Sequence, residues 1–122
     1  MAEQAVSLHR QGELARAEAL YLQILDIDPR LFGPRYYMGL MRLSQGRHDE
    51  ACDYLGEAVN ISPNEIGALM NYGMALSAAG RAEEALSVFE RVLAMQPNMA
   101  EALYNRGVAL AALKRFEMAV EA

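Results

Sequence analysis

The sequence is poor in the groups that carry most protein chemistry. Its 122 residues include no tryptophan, one cysteine (Cys52), one lysine (Lys114) and two histidines (His9 and His48). A single cysteine excludes an internal disulfide framework and leans the compartment towards the cytoplasm. His9 has no second histidine at metal-binding spacing, and His48-Asp49-Glu50 is not followed by the P-C-x-x-C that a zinc deaminase requires. The glycines fall at regular intervals and not in a phosphate-binding loop. No catalytic constellation, metal set or cofactor motif emerges. No apolar run approaches the eighteen or more residues of a membrane span, and Met1 to Arg10 lacks the basic-then-apolar layout of a signal peptide. Net charge is −5 and the pI is near 5.0. That balance argues against nucleic acid, whose phosphates require clustered cations.

What the sequence does contain is a period. Pro29, Pro63 and Pro97 are spaced by 34 residues, as are Gly39, Gly73 and Gly107, and Ala17, Ala51, Ala85 and Ala119. Gly12, Gly46 and Gly80 form another ladder of the same step, which Lys114 continues. Ladders sharing one period of this length are the signature of a stacked repeat. The third copy reads Leu69-x-x-Tyr72-Gly73-x-x-Leu76, then Ala85-x-x-x-Phe89 and Pro97. The copy before it has Met38-Gly39, Ala51-x-x-x-Leu55 and Pro63, and the copy after it Leu103-x-x-Arg106-Gly107-x-x-Leu110 and Ala119.

This pattern resembles the tetratricopeptide repeat, a helix-turn-helix unit. The resemblance implies an all-α, right-handed α-solenoid with two full and two partial copies. The copies divide as residues 1–31 (partial), 32–65, 66–99 and 100–122 (partial). Both ends read as cut from something longer.

Apolar periodicity, glycine at the turn and proline at the far end predict paired helices A and B over 2–10 and 14–27, 32–44 and 48–61, 66–78 and 82–95, and 99–112 and 115–122. The residue before each proline is pushed out of the helical region, which closes the B helices. Asn64 and Asn98 are expected to cap the following A helices, with Asn98-x-x-Glu101 in the form of a capping box. Glycine at 12, 46 and 80 allows the left-handed backbone that ends an A helix; Lys114 has no such freedom, so its turn is expected to be looser or strained. Ala85 and Gly73, with their counterparts, let A and B helices approach closely. Leu103, Gly107 and Leu110 are expected to pack on a B helix as Leu69, Gly73 and Leu76 do.

The A helices carry a second apolar set: Tyr36, Leu40 and Leu43, then Met70, Met74 and Ser77, then Tyr104, Val108 and Ala111. Family resemblance places such residues on the concave side of the superhelix, where ligands lie. Asn71 and Asn105 recur at matching sites inside helices, where asparagine has no local reason to recur. In related arrays, including that of the O-linked N-acetylglucosamine transferase, such amides hold the backbone of an extended peptide. An amide both donates and accepts, so it suits that task. Tyr37 replaces asparagine in the second copy. The candidate peptide-binding set is therefore Tyr36, Tyr37, Leu40, Met70, Asn71, Met74, Tyr104, Asn105 and Val108.

This floor lacks the converging cations of a carboxylate clamp. Arg35, Arg42 and Arg106 stand at stations where the family pattern is apolar, and are read either as snorkelling structural residues or as anion contacts. The expected function is a non-catalytic protein-protein interaction module taking a peptide or helical segment in its groove. One alternative is the substrate-selecting segment of a larger enzyme, such as a bacterial glycosyltransferase of the kind just named. The other is a self-assembling scaffold, a homo-oligomer joined through uncapped terminal helices.

Overall fold

The structure, a computed structural model, describes the backbone of residues 1–121 and the side chains of residues 1–115. Among the described residues there are seven α-helices and no strand: α1 (Ala2–Arg10), α2 (Leu14–Ile27), α3 (Phe32–Ser44), α4 (His48–Ile61), α5 (Ile66–Ala78), α6 (Ala82–Met95) and α7 (Ala100–Glu121). The first six fall where the repeat pattern places them. They form two compact units, Met1–Pro63 and Asn64–Ala122.

The A helices end as glycine at the turn dictates. Gly12, Gly46 and Gly80 have φ of 81°, 74° and 81°, a region closed to residues with a Cβ unless strain is accepted. Each turn is locked by a pair of backbone bonds. In α5, Gly80 N donates to Ser77 O at 3.0 Å and Arg81 N to Leu76 O at 2.8 Å; Gly12–Glu13 and Gly46–Arg47 repeat the arrangement.

The fourth ladder site departs from expectation. No turn separates 99–112 from 115–122, and α7 runs unbroken for 22 residues to Glu121. A left-handed residue is needed to end the helix, and Lys114 does not supply one. The expected packing of Ala119 lies outside the described side chains.

The expected asparagine caps are also corrected. Glu65, not Asn64, precedes α5, and it makes no side-chain cap bond. Pro97-Asn98 occupies the middle of a turn closed by Met99 N donating to Gln96 O at 3.3 Å. Proline pre-sets the first central position of such a turn, so Asn98 is used at the second and the helix starts two residues later.

Packing follows the small-residue ladders. A Cβ added at Gly39 would lie 2.6 Å from Leu55 Cγ, and one at Gly73 2.6 Å from Phe89 Cε1. Ala17, Ala51 and Ala85 are fully buried. In the first unit Ala5, Ala17, Tyr21, Met38 and Met41 form the core, with Tyr37 and Tyr54 packed against it. In the second, Leu69, Leu76, Phe89 and Val92 are the large core residues, joined by Ala102 and Ala109 of α7.

The three glycines should respond to alanine with opposite signs. Gly39→Ala and Gly73→Ala force Leu55 or Phe89 to shift, at about 1–3 kcal/mol, which outweighs the helix-propensity gain of up to about 1 kcal/mol. At Gly107 a Cβ meets nothing within 4 Å, so Gly107→Ala should keep the propensity gain and raise stability. Urea denaturation of the three variants measures both signs.

Tyr21 supplies a pH dependence. Burial, assisted by the neighbouring Tyr37, pushes its hydroxyl up to about 12. The folded state thus favours the neutral phenol, and this contribution is complete below pH 10 and lost as pH rises towards 12. Stability should fall by about 2–3 kcal/mol across that window. Tyr21→Phe should flatten the alkaline limb of a denaturation series.

Candidate peptide-binding face

Helix geometry gives each A helix one side for its B helix and another for neighbouring A helices or a ligand. The expected second set divides between those uses. In the first unit Tyr37 is spent on packing: its ring stacks on Tyr21 at 5.9 Å and 8°, with His9 edge-on to both at 6.1 Å. His9 Nδ1 lies 3.3 Å from the Tyr21 hydroxyl. Tyr36 is half-buried and stacks on Phe32 at 5.3 Å; Leu40 is half-buried.

In the second unit Met70 is only 4% exposed, so it belongs to the packed interior and is removed from the ligand-facing set. Met74 on α5 is exposed, as are Val108 and Tyr104 on α7, the last at 72%. These two helices pack in the same unit. The structure therefore brings Met74, Tyr104 and Val108 to the surface of one unit.

The two asparagines differ. Asn71 Nδ2 donates to Gly67 O at 3.0 Å, one turn back in its own helix, which is the local use open to short polar side chains within helices. Asn105 is half-buried and its Nδ2 is enclosed without a hydrogen-bond partner. An enclosed, unsatisfied donor costs about 1–3 kcal/mol until something accepts from it.

Two of the out-of-pattern arginines, Arg42 and Arg35, are structural. Arg42 is 6% exposed and pairs with Glu18 of α2; its Nη1 donates to Gln45 Oε1 at 3.0 Å and its Nε lies 3.1 Å from Glu50 Oε2. Burial alone would lower its pKa, but the Glu18 hydrogen bond and the charges of Glu18 and Glu50 raise it on balance, so the guanidinium stays charged. Arg35 pairs with Glu57, and its Nε donates to Pro29 O at 2.8 Å. The aromatic cluster has a partial sequence signal in Phe32 and Tyr36 four residues apart. The Arg42 network has none, because Glu18 and Glu50 reach it from different helices.

A cleft of about 670 Å³ in the second unit is lined by Gly80, Arg81, Glu84 and Ser87 together with Ala112 and Leu113 of the undivided α7. Ser77 of the second set also lines it, but none of the candidate peptide-binding residues does. Arg81 there is paired to Glu84 at 2.7 Å, and that hydrogen bond holds the carboxyl below its usual range. Among the described residues no group of His, Cys, Asp and Glu could hold a metal, and no helix is long and apolar enough to cross a membrane.

Three family models described as tetratricopeptide repeat match residues 1–23, 42–88 and 71–122. The chain belongs to the tetratricopeptide repeat family. A search of curated proteins gave no match. Among solved structures, the first repeat domain of Spaghetti (RPAP3) bound to the HSP90 peptide SRMEEVD is similar at 25% identity, with TM-score 0.82 over 92% of this chain and 89% of that one. An O-GlcNAc transferase mutant from Thermobaculum terrenum is similar at 26% identity and TM-score 0.75, covering 89% of this chain and 21% of the enzyme. MamA of AMB-1 shares the fold at 21% identity and TM-score 0.86, over 97% of this chain and 64% of that one.

The Arg42 network predicts a graded response. Arg42→Ala leaves Glu18 without its partner and opens a cavity, for a loss of about 1–3 kcal/mol, less than a fully buried pair would cost because both carboxylates are partly exposed. Arg42→Leu restores the residue that the ladder has at Leu76 and Leu110 and should cost less. Chemical denaturation of the two variants orders them.

Proposed function

We propose that the chain is a non-catalytic protein-interaction module that takes a peptide or helical segment of a partner protein in a groove lined by its A helices. The observation that carries this reading is the exposure of Met74, Tyr104 and Val108 in the second unit, where core-forming residue types would otherwise be sequestered. Methionine adapts its packing and tyrosine adds a polar tip to an apolar ring, which suits a surface that must fit another chain. Asn105 contributes an amide donor whose lost pairing a ligand carbonyl would restore once the side chain turns outward. Asn71 joins it by exchanging its bond to Gly67 for one to the ligand. Tyr36 and Leu40 present partial apolar surface of the same kind in the first unit.

The peptide seen on the Spaghetti domain is acidic at its end. The stripe proposed here has no lysine or arginine among its members, so its ligand is chosen by apolar contact and backbone pairing and not by a carboxylate clamp. A second reading, the substrate-selecting segment of a larger glycosyltransferase, is supported by the 26% identity to part of the Thermobaculum enzyme. The sequence of the intact gene product on either side of these residues decides it.

The test is site-specific photo-crosslinking in the native host, with benzoylphenylalanine in place of Tyr104 or, as control, of the exposed Gln23 on α2. A discrete protein adduct should form at 104 and not at 23, and it should disappear with Val108→Ser. Equal labelling at both positions would refute the face. Against the captured ligand, Asn71→Ala with Asn105→Ala should weaken binding about tenfold with little change in melting temperature; unchanged affinity would sink the amide role.

A further inference from the structure

Among the described residues, the face of α7 that matches the covered faces of α3 and α5 has no helix over it. In the third copy Leu69, Gly73 and Leu76 form a face on α5 that α6 covers: both leucines are 0% exposed, and the Phe89 ring occupies the notch left by the missing Cβ of Gly73. The second copy repeats the fit with Leu55 over Gly39. The matching face of α7 is Leu103, Gly107 and Leu110. Here the leucines are 40% and 48% exposed, and the Gly107 notch is empty to 4 Å. Because α7 runs on as one helix to Glu121, residues 115–121 continue along its axis and do not fold back over this face.

We propose that this face docks, in trans, an amphipathic helix of another protein that carries an acidic first turn followed by Ala-x-x-x-Phe or Ala-x-x-x-Leu and lies antiparallel to α7. The chain shows twice what fits such a face: Ala51-x-x-x-Leu55 over Gly39 and Ala85-x-x-x-Phe89 over Gly73. The bulky side chain enters the glycine notch while the small one, a turn earlier, lets the backbones approach. The charge is complementary as well. Asp49 and Glu50 open α4, and Glu83 and Glu84 open α6. On α7 the exposed Lys114 and Arg115 follow Leu110, at the end where an antiparallel helix begins. That pairing places acidic side chains against a basic end.

The probe is a hydrocarbon-stapled peptide of residues 82–95, its helicity verified by circular dichroism and its binding to the full chain read by fluorescence anisotropy. Stapling removes the marginal helicity of a free peptide of this length. Saturable binding is expected, weakened about tenfold or more by Gly107→Ala, since the new Cβ would meet the incoming Phe as closely as it would at Gly73. Lys114→Glu should weaken it further at low salt, and Leu22→Ser on α2 should leave it unchanged. Gly107→Ala is expected to stabilise the fold, so its loss of binding cannot be assigned to unfolding. Absence of saturable binding, or equal binding by wild type and Gly107→Ala, overturns the proposal. So does sedimentation showing that the chain self-associates and that Gly107→Ala makes it monomeric, which would give the face to a second copy.

Discussion

The fold depends on how closely two helices of a hairpin can approach, and a single missing Cβ sets that distance. At Gly39 and Gly73 the partner side chain already occupies the space a methyl group would need. Leu55 and Phe89 can be fully buried only because their helices come in over a glycine. The neighbouring leucines and alanines then close around the contact, and their burial supplies most of the hydrophobic stabilisation of each hairpin. A repeat of 34 residues follows naturally, because the glycine, the alanine and the proline are parts of one contact and its two boundaries.

Closing that contact also requires the chain to reverse, and reversal depends on a second glycine. The left-handed residue at 12, 46 and 80 allows two backbone bonds to terminate the A helix and send the chain back within three residues. Where lysine stands at 114, the same apolar pattern continues into an uninterrupted helix. The notch at Gly107 is preserved while the turn that would bring a helix over it is lost. Packing and reversal are thus separable in this sequence: one ladder persists into the last copy and the other stops.

Most of this was legible from residue spacing. The first six helices, the glycine turns and the proline boundaries follow from local backbone preferences repeated in phase, which a sequence displays directly. What was not legible depends on competition between options that local rules permit equally. Lys114 suggested a loose turn, yet helix continuation is available to lysine at no cost and a left-handed turn is not. Asn98 had the form of a cap, but the preceding Pro97 already committed it to a turn. Met70 and Met74 share one stripe at helical spacing, and only the surrounding structure buries the first and exposes the second. Arg42 broke an apolar ladder for a reason visible only when α2 and α4 deliver Glu18 and Glu50 to it.

The division within that stripe bears on what the A helices are for. A residue fully engaged in packing has no surface left for a ligand; Met70 is in that state, and Tyr37, stacked on Tyr21, is half-buried. Tyr104 is at the other extreme, with most of a large aromatic surface in water, where it gains nothing for the fold. The asparagines show the same split: the Asn71 amide is held by the carbonyl of Gly67, whereas that of Asn105 is enclosed with its donor unmet. Among the described residues, both the most exposed aromatic and the unsatisfied amide therefore lie on α7, one residue apart. A helix that carries those two features beside an uncovered glycine notch is the part of this unit least accounted for by its own stability, and so the part where binding has the most to gain.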